Sequence, residues 1–187
     1  MGEALANTFS HLKDRIDRVV AVPRTPEVAA IKLARLWNKD YGGIVKRSGV
    51  DVRSFLEPTE EKRKKASELK YIYIKPLLEN KRIAVVDDSI VRGTTSCEIV
   101  NNLKDLGVRE IHFFSMYPPI MYPCRYGIDT PRSDDLIAYT LGGSVEKLKE
   151  YLGVDSLNYL PVETMVSVLG KPIEKFCTAC ITVNYPV

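Results

Sequence analysis

Short apolar runs alternate with stretches of helical periodicity along much of this chain. Residues 19–22 form the first run, which Pro23 closes. A helix is predicted next, with Pro26 in its first turn and a set of apolar residues on one face, namely Ala29, Ala30, Leu33, Ala34 and Trp37. Another short apolar run follows at residues 44–45. This alternation predicts an α/β protein whose sheet is mainly parallel, twisted and flanked by helices.

The most regular unit begins at residue 82. Residues 82–86 predict a buried strand, residues 96–106 predict a helix that Gly107 stops, and residues 111–116 predict the next strand. Such a strand–helix–strand unit joins two parallel strands, and α/β sheets bind their ligands at the carboxyl ends of the strands. We therefore expect a ligand site where the strand over 82–86 ends.

Two segments depart from this pattern. Residues 46–70 are rich in Lys, Glu and Arg with few apolar anchors, which predicts a flexible loop of the kind that closes over a ligand. Residues 144–187 predict a helical, cysteine-containing appendage, with helices over 145–152 and 162–169. Neither segment has a core of its own, so residues 1–187 are predicted to form a single domain.

Charge and hydropathy narrow the range of partners. The chain has 27 basic and 24 acidic residues, and its net charge of +3 is too small to indicate a nucleic-acid partner. No apolar run reaches the roughly 18 residues that span a membrane, and the first residues do not resemble a secretory signal. These features predict a cytoplasmic protein without a membrane partner.

The candidate chemistry lies at residues 87–95, between the predicted strand and helix. Asp87 and Asp88 end the strand, and a hydroxyl-rich turn follows, made of Ser89, Ile90, Val91, Arg92, Gly93, Thr94 and Thr95. Backbone amides at a helix N-terminus favour a phosphate, and glycine permits a close ligand approach. The two acids would repel a phosphate, but they suit sugar hydroxyls or a metal ion. The turn therefore predicts a sugar-phosphate site, although a simple helix cap is the structural alternative.

Residues 85–96 resemble the phosphoribosylpyrophosphate (PRPP) signature of type I phosphoribosyltransferases, and in particular that of glutamine PRPP amidotransferases. Further segments are similar to that family in the same order: V-P-R-T at 22–25, R-S-F-L-E-P at 53–58, P-P-I at 118–120, Y-P-C-R-Y-G-I-D-T-P at 122–131, G-V-D-S-L at 153–157 and F-C-T-A-C at 176–180. The resemblance covers almost the whole chain and implies a type I phosphoribosyltransferase fold.

The resemblance also implies an activity and its residues. PRPP would bind with Mg²⁺, its 5-phosphate on residues 89–95 and its ribose and metal at Asp87, Asp88 and Thr25. Ammonia would displace pyrophosphate to give 5-phosphoribosylamine, the first step of purine synthesis, while Lys46 and Arg53 close the site. The implied assembly is a homo-oligomer.

Two departures from the family change the expectation. The glutaminase domain that precedes the family's phosphoribosyltransferase part is not found in this sequence, so glutaminase activity is expected to be absent or supplied by a separate subunit. A separate subunit, a misplaced gene start and an engineered fragment are all compatible with the sequence. Many family members hold a 4Fe-4S cluster on four cysteines, and Cys124, Cys177 and Cys180 match three of them. Cys97 is expected to be a small apolar residue facing the interior. The sequence thus predicts a 4Fe-4S site that lacks one cysteine ligand, which a partner could donate.

Two other functions remain open from the sequence. A nucleobase phosphoribosyltransferase would keep the PRPP turn but carry an aromatic stacking residue and specific amides around the base. A non-catalytic PRPP or nucleotide sensor would need an output module, for which the chain has little room.

Overall fold

The computed structural model describes residues 1–47, 70–130 and 132–186. Its strands are β1 (Arg18–Ala21), β2 (Asp40–Tyr41), β3 (Ile44–Lys46), β4 (Tyr71–Tyr73), β5 (Arg82–Asp87), β6 (Glu110–Ser115) and β7 (Ser156–Tyr159). Five of them form one sheet in the order β2-β1-β5-β6-β7, and every neighbouring pair in it is parallel. The predicted parallel α/β architecture is confirmed.

The α-helices in the described residues are α1 (Gly2–Thr8), α2 (Glu27–Trp37), α3 (Lys75–Leu78), α4 (Thr94–Asp105), α5 (Ile137–Thr140), α6 (Val145–Leu152), α7 (Val162–Val168) and α8 (Ala179–Thr182). Short 3₁₀ turns lie at Ser10–Arg15, Ser133–Asp135 and Ile173–Lys175. No helix in the described part of the chain is long and apolar enough to cross a membrane.

The sheet has a hydrophobic cluster on each face because successive strand residues point to opposite sides. Val86 and Phe114 join the cluster that α1, α2 and α7 cover. Val85 and Phe113 join the cluster that α4 and α6 cover. Helices on both faces bury the central strands on both sides, which explains why β5 and β6 are continuous apolar runs rather than alternating ones.

Two features of the fold differ from the prediction. Residues 144–187 are not purely helical, because β7 adds a fifth strand beside β6, with Phe113 opposite Leu157. Only Leu157 of that strand is fully buried, so its pattern carries little strand signal. The run at residues 44–45 lies in β3, which pairs antiparallel with β4 in a separate sheet. Most of the predicted flexible loop over 46–70 lies outside the described residues.

Candidate active site

The loops after β1, β5 and β6 lie side by side at the carboxyl edge of the sheet. Val22 donates a backbone hydrogen bond of 2.9 Å to Val86, and Met116 donates one of 3.0 Å to Asp87. These bonds continue the parallel ladders past the strand ends, so the turn after β1 is held directly beside the acids that end β5. The predicted ligand edge is therefore built from three adjacent loops.

Asp87 and Asp88 form the acidic part of this edge. The side chain of Asp87 is buried, whereas Asp88 is half-buried. The Asp88 amide donates to Asp87 Oδ1 at 2.8 Å, and the Ser89 hydroxyl donates to Asp88 Oδ1 at 3.2 Å. Each carboxylate keeps further lone pairs that can accept ligand hydroxyls or bind a cation.

Burial raises the pKa of Asp87 from its usual 3.8 to about 7, and the charge of Asp88 contributes to the rise. The hydrogen bond from the Asp88 amide and the positive charge of Lys70 oppose it. Two adjacent acids in a partly dry site therefore disfavour double ionisation. A cation bound between them would remove that penalty.

The turn after the acids offers a set of backbone donors. Gly93 has φ of 76°, a left-handed conformation that glycine adopts without strain, and it caps α4 without any side-chain hydrogen bond. The first helical bond runs from the Cys97 amide to the Gly93 carbonyl at 2.8 Å. Within residues 1–47, 70–130 and 132–186, no acceptor is present for the amides of residues 89–96. Such a concentration of unpaired amides at a helix N-terminus binds an anion.

The rest of the protein holds this turn in place. Ile90 is buried in the cluster under α4 and α6, and the Val91 carbonyl accepts a hydrogen bond of 2.9 Å from the Ile137 amide. A Cβ atom on Gly93 would lie 3.3 Å from Cε1 of Tyr151 and 3.5 Å from Ile137. The close packing behind Gly93 leaves the amide side of the turn as the side on which a ligand can approach.

The turn after β1 contains Thr25, the predicted metal or pyrophosphate contact. Both Arg24 and Thr25 are exposed, the Pro23–Arg24 peptide bond is cis, and the Glu27 amide donates to the Arg24 carbonyl at 3.1 Å. Because β1 is the direct neighbour of β5, Thr25 lies on a loop adjacent to the acid pair.

The β3–β4 pair brings further charge to the acids. Lys46 ends β3 opposite Tyr71, the first residue of β4. Burial raises the pKa of Tyr71, and the charge of Asp87 raises it further. Lys70 Nζ lies 5.3 Å from the centre of the Tyr71 ring. Arg53, the other predicted loop cation, lies outside the described residues.

Lys70 and Tyr71 were not predicted from the sequence. Lys70 is one of many lysines in a polar segment, and Tyr71 is one apolar residue of a three-residue strand. Their electrostatic interaction with Asp87 depends on the pairing of β3 with β4, which sequence spacing does not show. The only local signal is the alternation of Tyr71 and Tyr73 at the end of the polar segment.

The three predicted cluster cysteines lie together, away from Cys97. Cys124, Cys177 and Cys180 line one cavity of about 220 Å³, into which Tyr117 also projects. The Tyr117 hydroxyl lies 3.2 Å from Cys180 Sγ. In the described part of the chain, no group of three or more His, Cys, Asp or Glu residues is placed to hold a metal ion.

Cys97 does not complete the set, since it lies on α4 and is packed against the opposite cluster. Its thiol contacts the Tyr151 carbonyl at 4.0 Å, and burial raises the pKa of that thiol. The expectation of an inward-facing structural cysteine agrees with this packing. The described residues thus bring three thiols, rather than four, to one place.

Comparison with known proteins shows which family the chain resembles. No protein-family model matches the sequence. The chain is 43% identical over 171 residues to amidophosphoribosyltransferase 1 of Arabidopsis thaliana, which covers 91% of this chain and 30% of the relative. It is 41% identical over 187 residues to the amidophosphoribosyltransferase of Methanothermobacter thermautotrophicus, covering 100% of this chain and 38% of the relative.

Solved structures give the same result in three dimensions. The glutamine PRPP amidotransferase of B. subtilis, complexed with ADP and GMP, superposes with a TM-score of 0.79 at 36% identity, over 99% of this chain and 42% of that one. This chain is homologous to the phosphoribosyltransferase part of the amidophosphoribosyltransferases. It has their type I phosphoribosyltransferase fold.

A second structural relative supports the assignment. The allosteric regulatory enzyme of purine biosynthesis superposes with a TM-score of 0.82 at 35% identity, over 99% of this chain and 40% of that one. The chain spans about a third of the length of the curated amidophosphoribosyltransferases it matches.

Proposed function

We propose that this chain transfers the phosphoribosyl group of PRPP to ammonia. In that reaction the bond between the anomeric carbon and pyrophosphate breaks, a carbon–nitrogen bond forms, and ammonia loses a proton, which gives 5-phosphoribosylamine and pyrophosphate. The observation that carries the proposal is the adjacency of two carboxylates at the end of β5 to the unpaired amides of residues 89–96.

The two ends of that arrangement suit the two ends of a ribose 5-phosphate. The 5-phosphate would accept hydrogen bonds from the amides and from the hydroxyls of Ser89, Thr94 and Thr95. The ribose hydroxyls would donate to the carboxylates of Asp87 and Asp88. This division follows from charge, because a phosphate next to two carboxylates would be repelled.

Mg²⁺ fits the same acids. Magnesium usually binds one or two carboxylates together with substrate phosphates and waters, rather than a complete cage of protein ligands. Asp87 and Asp88 supply such carboxylates, and Thr25 on the adjacent loop supplies a hydroxyl. The bound metal would neutralise charge on the departing pyrophosphate.

The chain's own residues would assist the transfer electrostatically. Departure of pyrophosphate leaves positive charge on the ribose ring, which the carboxylates of Asp87 and Asp88 stabilise because they are fixed beside it. Lys46 and Arg53 are proposed to close the site and to exclude water from the cation. No side chain has to act as a nucleophile.

A separate glutaminase subunit is proposed as a source of the ammonia. A homo-oligomer and a cytoplasmic location remain predictions of the sequence. A complete 4Fe-4S centre does not fit the described residues, because Cys124, Cys177 and Cys180 supply three of the usual four thiolates.

The test is pyrophosphate release from Mg²⁺-PRPP with ammonium, with glutamine or with free purine and pyrimidine bases as acceptor. Release with ammonium alone supports the proposal. Release with a base but not with ammonium would identify a nucleobase phosphoribosyltransferase instead. Binding of PRPP without release under any condition would favour a sensor.

A further inference from the structure

We propose that Cys177 and Cys180 are a redox-active thiol pair, which a low-molecular-weight disulfide converts reversibly into an intramolecular disulfide. The proposal concerns the cysteine cavity rather than the PRPP site, so it goes beyond the proposed transfer reaction. All four cysteines of the chain are free thiols in the structure. A C-x-x-C pair is typical of thiol–disulfide chemistry as well as of metal binding.

The backbone brings these two cysteines close together. Thr178 has φ of −111° and ψ of 16°, and Ala179 begins α8. Two such residues between Cys177 and Cys180 form a turn, and a turn keeps the Cα atoms of its first and fourth residues within about 7 Å. A disulfide requires Cα atoms within about the same distance. Both cysteines also line the same cavity of about 220 Å³, so no other part of the protein separates them.

The two thiols differ in exposure and in contacts. Cys177 is exposed, and its thiol forms no hydrogen bond within residues 1–47, 70–130 and 132–186. Cys180 is half-buried, and its Sγ lies 3.2 Å from the Tyr117 hydroxyl. A Cys180 thiolate can only accept from that hydroxyl, and the hydrogen bond stabilises its negative charge. A reagent therefore meets Cys177 first, and Cys180 is held in place as the second thiol.

Cys124, the third thiol of the cavity, is held by its own loop. The Tyr126 amide donates to Cys124 Sγ at 3.3 Å. The Cys124 amide donates to the carbonyl and to the hydroxyl of Thr130, at 3.1 and 3.2 Å. These bonds fix Cys124 within its loop, whereas Cys177 and Cys180 share one turn. We therefore expect the disulfide to join the two cysteines of the turn.

Glutathione disulfide is a suitable reagent of this class. The Cys177 thiolate attacks one of its sulfurs, which forms a mixed disulfide and releases one glutathione. The Cys180 thiolate then attacks Cys177 Sγ, which forms the protein disulfide and releases the second glutathione. Two protein thiols are oxidised, one glutathione disulfide is reduced, and the protons of the two cysteine thiols pass to the two glutathione thiolates. In a reducing compartment such a disulfide is transient.

The experiment treats the reduced protein and four single variants with glutathione disulfide, namely Cys177→Ser, Cys180→Ser, Cys124→Ser and the control Cys97→Ser, which lies on the other face of the sheet. Wild type should lose two of its four thiols, and peptide mapping should find a disulfide between Cys177 and Cys180 that dithiothreitol reverses. Cys124→Ser and Cys97→Ser should form the same disulfide. Cys180→Ser should stop at one glutathione on Cys177, and Cys177→Ser should form no intramolecular disulfide.

Retention of all four thiols in wild type would overturn the proposal. A mapped disulfide that includes Cys124 or Cys97, or a glutathione adduct that persists in wild type, would overturn it as well. Circular dichroism of the reduced variants checks the fold, and Cys177→Ser carries the test if Cys180→Ser does not fold, because Cys177 is exposed. Tyr117→Phe should prolong the lifetime of the mixed disulfide, and an unchanged lifetime would contradict the role given to that hydroxyl.

Discussion

The backbone amide of Asp88 donates a 2.8 Å hydrogen bond to Oδ1 of Asp87, the last residue of β5. On a regular strand these neighbours would point to opposite faces, so this bond marks the point at which the chain leaves the strand and turns. It also keeps two carboxyl groups close together beside the unpaired amides of the following turn.

Replacing both acids with amides should abolish activity without unfolding the protein. Asn at positions 87 and 88 keeps side-chain size and one acceptor oxygen, but it removes the negative charge that would stabilise the ribose cation. We expect kcat/KM to fall by at least about 10²-fold, while the circular dichroism spectrum is unchanged. Loss of the folded spectrum in the double variant would mean that the acids are structural.

The single variant Asp87→Asn should make the ligand-free protein more stable at high pH. The pKa of Asp87 rises from 3.8 to about 7 on folding, so the folded state holds that proton more tightly than the unfolded state does. Protonation of Asp87 therefore stabilises the folded state. This stabilisation is fully present below the unfolded pKa and is lost as pH rises through about 7. At about 1.4 kcal/mol per pKa unit, ionisation of the Asp87 carboxyl group lowers the free energy of unfolding by at most about 4 kcal/mol at pH 8.

Urea titrations without Mg²⁺ would measure this effect. The variant should exceed wild type in unfolding free energy at pH 8, and the difference should shrink as pH is lowered to 5. A difference that does not change with pH would show that Asp87 has an ordinary pKa. Asp17→Asn is a useful contrast, because the hydrogen bond from Arg82 lowers the pKa of Asp17 to about 2 and its pH dependence has the opposite sign.

Much of this site was predictable, because the apolar run over 82–86 and the D-D-S…G-T-T spacing are local signals. The strand, the turn and α4 lie consecutively in the chain, so spacing alone places them. Tyr71 and Lys70 were not predictable, since their electrostatic interaction with Asp87 depends on the pairing of β3 with β4, two strands that the polar segment separates in sequence. β7 was missed for a related reason, namely that an edge strand with one fully buried residue has almost no periodic signal.

Gly93→Ala should weaken phosphate binding more than it weakens the fold. A Cβ at φ of 76° is strained, and it would press on Tyr151 at 3.3 Å. We expect roughly 1–2 kcal/mol of destabilisation together with a loss of ribose 5-phosphate affinity, because the turn must shift. Gly142→Ala is the matched control, since that glycine also has positive φ but has open space around its Cβ. Equal ligand affinity in both variants would show that the geometry at Gly93 does not matter for binding.

Anaerobic reconstitution with iron and sulfide should leave the purified chain with fewer than four iron atoms. Three thiols line the cavity at Tyr117, and Cys97 lies on the other face of the sheet. Iron analysis with a visible absorption spectrum would measure the loading, and Cys124→Ser would serve as the comparison. Four irons per chain with a stable cluster spectrum would show that another group supplies the fourth ligand.

The most direct measurement is a crystal structure of the chain with Mg²⁺ and PRPP. The 5-phosphate should lie on the amides of residues 89–96, and the ribose hydroxyls should contact Asp87 and Asp88. A PRPP molecule bound at any other place, with the amides of the turn left to solvent, would contradict the assignment of this site and of the reaction.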